Sequence, residues 1–427
     1  MKQLFKLLFA LLIIAGCSKA DEPTDGTTPP EDNNPPLEDP SFLEFEGVKL
    51  AISYFHNTEI ELRKPHDDRV DILYGRELGY KFKQETSKQV DYIVVYGQNH
   101  VETIFTGLDW HINHWHTYEP EISISTQVDN PTVPSWPGAF IAYRSKNSGN
   151  FFYTTNEDLI HKRPAREIKE LGTVKESVNP IHIDNINMED YFGIVDADNQ
   201  IKIINAETEK ILKTYDQFNE VYSAVRHAKV WNRSFGVFAT DQGLLRVKII
   251  ADQDDPNYPV SEEIIPYPED FGNTKFTEML YRRESRAFPD PYLEHVWGID
   301  RNGTIYKINP DPEENEEVFR KLYEGDAIES WYMDYERTLF YILTEDHLLT
   351  SHEVKSFGQI AKAQYKGGEN AKIAASKKFV YVHAEGDAKI DRFDAEDLVQ
   401  YSPIQSEEVI ADFGVYGNVE EHPIDNH

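Results

Sequence analysis

From about residue 42 onward the hydrophobic pattern repeats one short unit. A run of apolar residues leads into a polar turn, and a second run follows in which apolar and polar positions alternate. The clearest copy is Trp297-Gly-Ile-Asp300-Arg-Asn302-Gly303-Thr-Ile305-Tyr306-Lys-Ile308, which predicts strand, tight turn, strand. Asn302-Gly303 is a strong hairpin signal, because a two-residue type I′ turn needs positive φ at both central positions. Such a turn is expected here. Other copies include Tyr92–Tyr96 before Gly97-Gln98-Asn99, Phe192–Val195 before Asp196-Ala-Asp198-Asn199, and Phe235–Ala239 before Thr240-Asp241-Gln242-Gly243.

The turn centres fall near 57, 99, 148, 198, 242, 302, 346 and 386, a mean separation of about 47 residues. Repeats of ~40–50 residues rich in short strands predict a β-propeller with four strands per blade. The expected fold is therefore all-β, a β-propeller of seven or eight four-stranded blades. A β-sandwich pair, a β-helix or another repeating β architecture is the alternative, since spaced hairpins also fit those. Only Glu157–Leu171 and Glu314–Leu322 hint at helical spacing. Asn205-Ala-Glu207-Thr-Glu209-Lys210 and Asp394-Ala-Glu396-Asp397 predict outer hairpins of blades. Two stretches, Gly107–Pro137 and Asp252–Asp270, interrupt the period. Insertions of this kind usually map to loops on one face, which is often the binding face.

The first forty residues follow another pattern. Lys2 and Lys6 precede the apolar run Leu7-Leu8-Phe9-Ala10-Leu11-Leu12-Ile13-Ile14, the layout of a signal peptide. The run is far shorter than the ~20 apolar residues that span a bilayer. Ile14-Ala15-Gly16-Cys17 resembles the lipobox of bacterial lipoproteins, with Ile where Leu is usual. The resemblance implies cleavage before Cys17, a diacylated thiol and an acyl chain such as palmitate on the new amine. With about 0.8 kcal/mol per buried CH₂, two or three chains anchor a protein stably without a transmembrane helix. Cys17 is the sole cysteine, so intramolecular disulfides, CxxC pairs and Cys-based zinc sites are excluded. Ser18 after it resembles the sorting signal of outer-membrane lipoproteins. Asp21, Glu22, Asp25, Glu31 and Asp32 resemble the acidic tethers of surface-exposed ones. Six prolines between residues 23 and 40, among Thr, Asp and Asn, predict an extended linker without a core. The organisation read from the chain is thus a signal peptide at 1–16, a tether at 17–42 and one propeller domain at 43–427.

Charge narrows the partners. Lys and Arg number 43 against 75 Asp and Glu, a net charge of −32. A surface this acidic repels nucleic acid, whose binding needs clustered cations. There is no WD dipeptide series and no recurring kelch Gly-Gly pair. The repeat pattern resembles the divergent propellers of surface lipoproteins that partner TonB-dependent outer-membrane transporters, and more loosely quinoprotein-like propellers. That resemblance implies a lipid-anchored outer-membrane protein, facing the cell surface, that captures a small nutrient such as a metal complex, vitamin or glycan. The chain has no G-x-S-x-G, H-E-x-x-H, P-loop or G-x-G-x-x-G. A non-catalytic binder is therefore the expected function, ahead of a cell-envelope carbohydrate-active enzyme and of an interaction or adhesion scaffold. Carboxylate pairs for glycoside hydrolysis cannot be singled out among so many acids.

Trp110-His111-Ile112-Asn113-His114-Trp115-His116 is the densest chemical cluster. On one continuous strand His114 and His116 share a face and His111 takes the other. His111, His114 and His116 are candidate ligands for zinc or copper, because neutral imidazole suits both. His100 and Glu119 are candidates for a completing ligand. Trp110, Trp115 and Trp136 are candidate stacking residues for a flat ligand, while core packing accounts for most of Trp136, Trp231, Trp297 and Trp331. Asp196-Ala-Asp198-Asn199-Gln200, with Glu207, mimics a calcium loop, but Ile201 stands where that loop requires Gly. A turn capped by its own Asp and Asn side chains is predicted instead, as at Asp300 and Asn302. Asp252-Gln-Asp254-Asp255 offers oxygen ligands for calcium but reads as a solvated loop in so acidic a chain.

Overall fold

The computed structural model describes residues 48–417 and 424–425, except 64–69, 83–91, 112–113, 132–139, 169–174, 176, 187–188, 230–232, 251–259, 273, 281–295, 313–315 and 335–337. All of them belong to the compact unit Leu37–His427. Cys17, the predicted signal peptide and the tether lie outside the described residues, as do Trp136, Trp231 and the Asp252–Asp255 cluster.

The domain is an all-β propeller of eight blades, each an antiparallel meander running outward from an inner strand. Blade 2 runs Lys81–Phe82, Tyr92–Tyr96, His100–Phe105, Glu121–Gln127, and blade 4 runs Ile181–Ile186, Glu189–Val195, Ile201–Asn205, Lys210–Tyr215. Blades 5, 6, 7 and 8 repeat this order from inner strands Val221–Lys229, Glu278–Leu280, Ile328–Met333 and Ala371–Ala375. Blade 3 shows Phe140–Arg144, Phe151–Thr155 and Arg166–Ile168 among the described residues. Blade 1 joins the two ends of the domain. Its inner strand is Ile410–Gly417, and Val48–Tyr54, Glu59–Arg63 and Val70–Tyr74 follow outward. Seven residue pairs, from Val48↔Gly417 to Tyr54↔Ile410, lock this closure. Neither a sandwich pair nor a β-helix has such a closure.

Strand parity explains why the second strands are almost wholly apolar. Both faces of a blade are covered by neighbouring blades, so alternate residues feed two different cores. Ile93 and Val95 pack against blade 1, while Val94 packs against blade 3. Phe192 and Ile194 face blade 3, while Tyr191 and Val195 face blade 5. Phe340 and Ile342 face blade 6, while Tyr341 and Leu343 face blade 8. Each junction between successive blades holds its own apolar cluster, including the last, between blades 8 and 1. The helical hints fade under this packing. The described part of Glu157–Leu171 holds most of the short helix Asn156–Ile160 and then the strand Arg166–Ile168, and Glu314–Leu322 runs into the strand Phe319–Glu324.

The meander also separates two faces. Connections between second and third strands share one face with the crossings from each blade to the next. All eight predicted turn centres lie in the second-to-third connections of this crossing face. The opposite face carries the inner-to-second and third-to-outer connections; the stretches Gly107–Pro137 and Asp252–Asp270 begin there, but each also contains a regular outer strand, Glu121–Gln127 and Val260–Ile265, so neither is an insertion throughout. Gly107 opens a hairpin between the third and outer strands of blade 2, and residues 250–259 lie at the matching place in blade 5. Val48 enters and Gly417 leaves the ring at this insertion face. The predicted outer hairpins are there too. Asn205 Oδ1 accepts from the backbone N–H groups of Glu207 and Thr208, and Asp394 Oδ1 from those of Glu396 and Asp397.

The turn at Asn302-Gly303 differs from the expected type I′. Asp300 pairs with Thr304, so three residues form the loop, and only Gly303 has positive φ, at 105°. Gly303 N–H donates to Asp300 O at 3.0 Å, and Asp300 Oδ1 accepts from Asn302 N–H at 3.1 Å. The Asp side chain thus stabilises a wider turn than the dipeptide alone implies. A Cβ at Gly303 would stand 2.1 Å from Gly325 O, in the crossing to blade 7. Gly303→Ala meets both a disfavoured φ and immovable backbone, and should cost about 1–3 kcal/mol. Urea unfolding of the variant measures it directly.

Candidate functional site

Polar groups on the inner strands meet in pairs near the crossing face. Glu278 of blade 6 accepts from Arg301 Nε at 2.6 Å through Oε1 and from Trp331 Nε1 at 2.6 Å through Oε2. Glu329 of blade 7 accepts from Ala371 N–H of blade 8 at 2.6 Å. Lys372 of blade 8 donates to Asp412 Oδ1 at 2.8 Å and to Phe413 O at 2.7 Å in blade 1, and to Phe82 O at 3.3 Å in blade 2. Asp412 Oδ2 in turn accepts from Phe82 N–H at 2.7 Å. Three blades are tied across the closure by one buried carboxylate and one half-buried ammonium. These acids already hold cations or N–H donors, so this part of the inner wall reads as stitching between blades. Trp331 and Trp297 belong to the same structural role, stacked on either side of Phe340.

The calcium-like motif resolves in the same way. Asp196 Oδ1 accepts from the N–H groups of Asp198 and Gln200, and Oδ2 lies 2.9 Å from Lys202 Nζ. It caps a turn, as expected. His100 lies at the crossing-face end of blade 2, with Nδ1 2.9 Å from Glu77 Oε1. That is the far end of its strand from the His/Trp hairpin, which removes it as a completing ligand. Glu119, exposed, lies between the hairpin and the outer strand of blade 2.

Among the described residues, three histidines are buried in the blades. His182 Nε2 lies 3.2 Å from Asp190 Oδ1, His352 Nδ1 3.3 Å from Phe357 O and His383 Nδ1 3.0 Å from Lys389 O. Burial lowers the pKa of all three below the ordinary 6.5, outweighing the hydrogen bonds that raise it. The unfolded chain therefore takes up protons near pH 6.5 while the folded chain does so only at lower pH. The stability they contribute is complete above pH 6.5 and is lost as pH falls through the lowered values, at up to about 1.4 kcal/mol per pH unit for each. Urea unfolding from pH 7.5 to 5.0 should show falling stability, with a shallower slope in His352→Gln.

The His/Trp cluster is a hairpin rather than one strand. Leu108–His111 pairs antiparallel with His114–Thr117, and residues 112–113 between them are outside the described residues. The register is Asp109↔His116, Trp110↔Trp115 and His111↔His114. Directly opposed positions share a face, so the turn reverses the parity expected of a continuous strand. His111 joins His114 and His116 on one face, while Trp110 and Trp115 occupy the other. Residues 424–425 add a third strand, parallel to His114–Thr117, with Asp425 opposite His116 and Ile424 opposite Trp115. Gly107, with φ 76°, makes the base of the hairpin possible, because a Cβ there would stand 2.2 Å from Tyr118 O.

The structure thus brings together Trp110, His111, His114, Trp115 and His116 at backbone level, at the insertion face. Sequence reasoning missed Asp109 and Asp425. Asp109 falls two positions before His111, a signal that a hairpin reading of the segment would have caught. Asp425 is far away in the chain, and only strand pairing reveals it. Among the side chains described, no three His, Cys, Asp or Glu converge as a metal site, a statement that does not extend to those of 108–117.

No protein-family model and no curated protein sequence matches the chain. Solved structures do. Two structures of AztD from Citrobacter koseri, one of them apo, superpose with TM-scores of 0.69 and 0.67 at 13% identity. They cover 89% and 87% of this chain and 100% and 98% of theirs. Saccharomyces cerevisiae Sqt1 gives a TM-score of 0.53 at 13% identity, over 83% of this chain and 94% of that one. The dihydro-heme d1 dehydrogenase NirN, in complex with DHE, gives 0.52 at 8% identity, over 87% of this chain and 75% of that one. At such identities the likeness establishes the propeller fold and nothing finer.

Proposed function

We propose that the chain is a lipid-anchored binding protein of the bacterial outer membrane that captures a small nutrient at its insertion face. The carrying observation is the concentration of irregular features on one side of a closed ring. The Trp/His hairpin and the entry and exit of the chain at Val48 and Gly417 all lie there, while the opposite face carries the second-to-third turns and the crossings between blades. In repeat architectures, insertions gathered on one face mark the binding surface. The hairpin adds two Trp and three His in ten residues, the mix that binds flat or metal-bearing solutes. Anchoring rests on Ile14-Ala15-Gly16-Cys17 and on the proline-rich stretch that follows. Acyl chains on Cys17 are the proposed attachment. A TonB-dependent transporter in the same membrane is the proposed partner. One of the AztD structures is of the apo protein, a state that implies a loaded form, and this supports ligand binding as a use of the fold. NirN is a dehydrogenase, so fold by itself does not decide against catalysis.

Two measurements on the chain purified from native membranes test this. Its mature N-terminus should carry the mass of a lipidated Cys17, and a specific small molecule should be released on denaturation. An unmodified terminus in the soluble fraction contradicts the anchor. Turnover of a glycan by the purified chain would replace the binder with an enzyme.

A further inference from the structure

Building on the binder reading above, we infer that the solute held at the insertion face is a neutral oligosaccharide, bound on an aromatic strip between blades 2 and 3 that runs Tyr92, Phe105, Tyr118. Tyr92, Phe105 and Glu121 oppose one another across the second, third and outer strands of blade 2, so they share one sheet face at its insertion-face end. Tyr92 packs on the core between blades 2 and 3. Its ring lies 5.4 Å from that of Phe105, which lies 6.2 Å from that of Tyr118. Exposure rises along the series, from the partly buried Tyr92 and Phe105 to Tyr118 at 56%. Among the described residues no other Tyr, Phe or Trp of the insertion face is exposed; Tyr74, also exposed, ends the outer strand of blade 1 on the crossing face. Both sides of the strip are fixed. Tyr118 closes the base of the Trp/His hairpin, its N–H donating to Gly107 O at 2.7 Å. Across the junction Lys162 Nζ of blade 3 donates to Glu121 Oε1 at 2.6 Å. The loop that carries Lys162 is pinned by Thr155 Oγ1, which donates to Asp158 Oδ2 at 2.8 Å and accepts from Asp158 N–H at 3.1 Å.

Three features select the class of ligand. Neighbouring rings are inclined by 48° and 44°, so they form a stepped surface rather than the plane that a macrocyclic metal complex or vitamin would cover. A chain of separate sugar rings follows such steps, each setting its apolar C–H face on one aromatic ring. The rim is polar where the sugar's hydroxyls would fall. The half-exposed Glu121 carboxylate, beside Phe105 in the same cross-strand row, accepts from hydroxyls, and the Lys162 ammonium donates to them. A net charge of −32 disfavours acidic glycans and leaves neutral ones.

The test is calorimetric titration of the purified chain with maltohexaose, cellohexaose, xylohexaose and mannohexaose, and with hexagalacturonate as the acidic counterpart. At least one neutral hexasaccharide should bind, and hexagalacturonate should not. Tyr118→Ala should weaken that binding ~2–10-fold and Tyr118→Leu equally, while Tyr118→Phe should bind like the parent, which separates ring stacking from apolar contact alone. Glu121→Ala should weaken it several-fold. Tyr74→Ala, at the exposed ring of the crossing face, should change nothing. Tyr118 and Glu121 are exposed, so these variants should melt like the parent. Binding of no neutral hexasaccharide, unchanged binding by Tyr118→Ala, or equal binding of hexagalacturonate overturns the inference. Release of a specific solute other than a glycan from the membrane-purified chain overturns it as well, while leaving the binder reading intact.

Discussion

Ending the chain after Gln405 should abolish cooperative folding, although only 22 of 427 residues are removed. The deletion takes the inner strand Ile410–Gly417, the partner of Val48–Tyr54 at the closure. Ile410, Phe413, Val415 and Tyr416 are each at most 3% exposed, and the first three belong to the core between blades 8 and 1, Tyr416 to that between blades 1 and 2. At about 1.5–3 kcal/mol per large apolar side chain, their loss is worth roughly 6–12 kcal/mol. That rivals the 5–15 kcal/mol net stability of a typical domain. Asp412 leaves as well, and the Lys372 ammonium loses its carboxylate. Ending the chain after Gly417 instead should leave the melt nearly unchanged, because residues 424–425 pair only with the insertion hairpin among the described residues. A normal melt for the shorter chain would mean that the ring does not depend on this closure.

Phe340→Ala should be the most damaging single core substitution in the junction between blades 6 and 7. Its ring is fully buried, 5.6 Å from Trp297 at 13° on one side and 5.6 Å from Trp331 at 10° on the other. Phe-to-Ala truncation in a core costs about 3–5 kcal/mol, and each lost aromatic stack adds ~0.5–1.5 kcal/mol. A loss of about 5 kcal/mol in urea unfolding, with quenched or shifted Trp fluorescence in the folded baseline, is expected. Phe340→Leu should recover roughly half. Losses below about 2 kcal/mol would show that the two indoles repack across the gap.

The eight hairpins were legible because the two periodicities of a blade are local. Continuous apolar runs such as Tyr92–Tyr96 mark second strands covered on both sides, and Asp, Asn, Ser or Thr at the run's end caps the turn. Turn type was less legible. Asp300 reshapes the loop around Asn302-Gly303 through a side-chain hydrogen bond, which a dipeptide rule does not contain. Blade count could be read only as seven or eight, because blade 1 takes strands from both ends of the domain. The inner-wall pairs were invisible for the same reason. Lys372, Asp412 and Phe82 meet only once the ring is closed. At the hairpin the parity differs from that of one continuous strand, since the register sets His111 opposite His114, which only strand pairing reveals.

The claim on which the functional account rests is that ligands are held at the insertion face. The most direct test compares small molecules released from three membrane-purified chains: the parent, one with residues 108–117 replaced by a Gly-Ser turn, and one with the crossing-face turn at 345–347 replaced in the same way. Mass spectrometry should find the same solute in the parent and in the turn variant, and none in the chain without the hairpin. Retention by the hairpin-less chain together with loss from the turn variant would place binding on the opposite face and contradict the account.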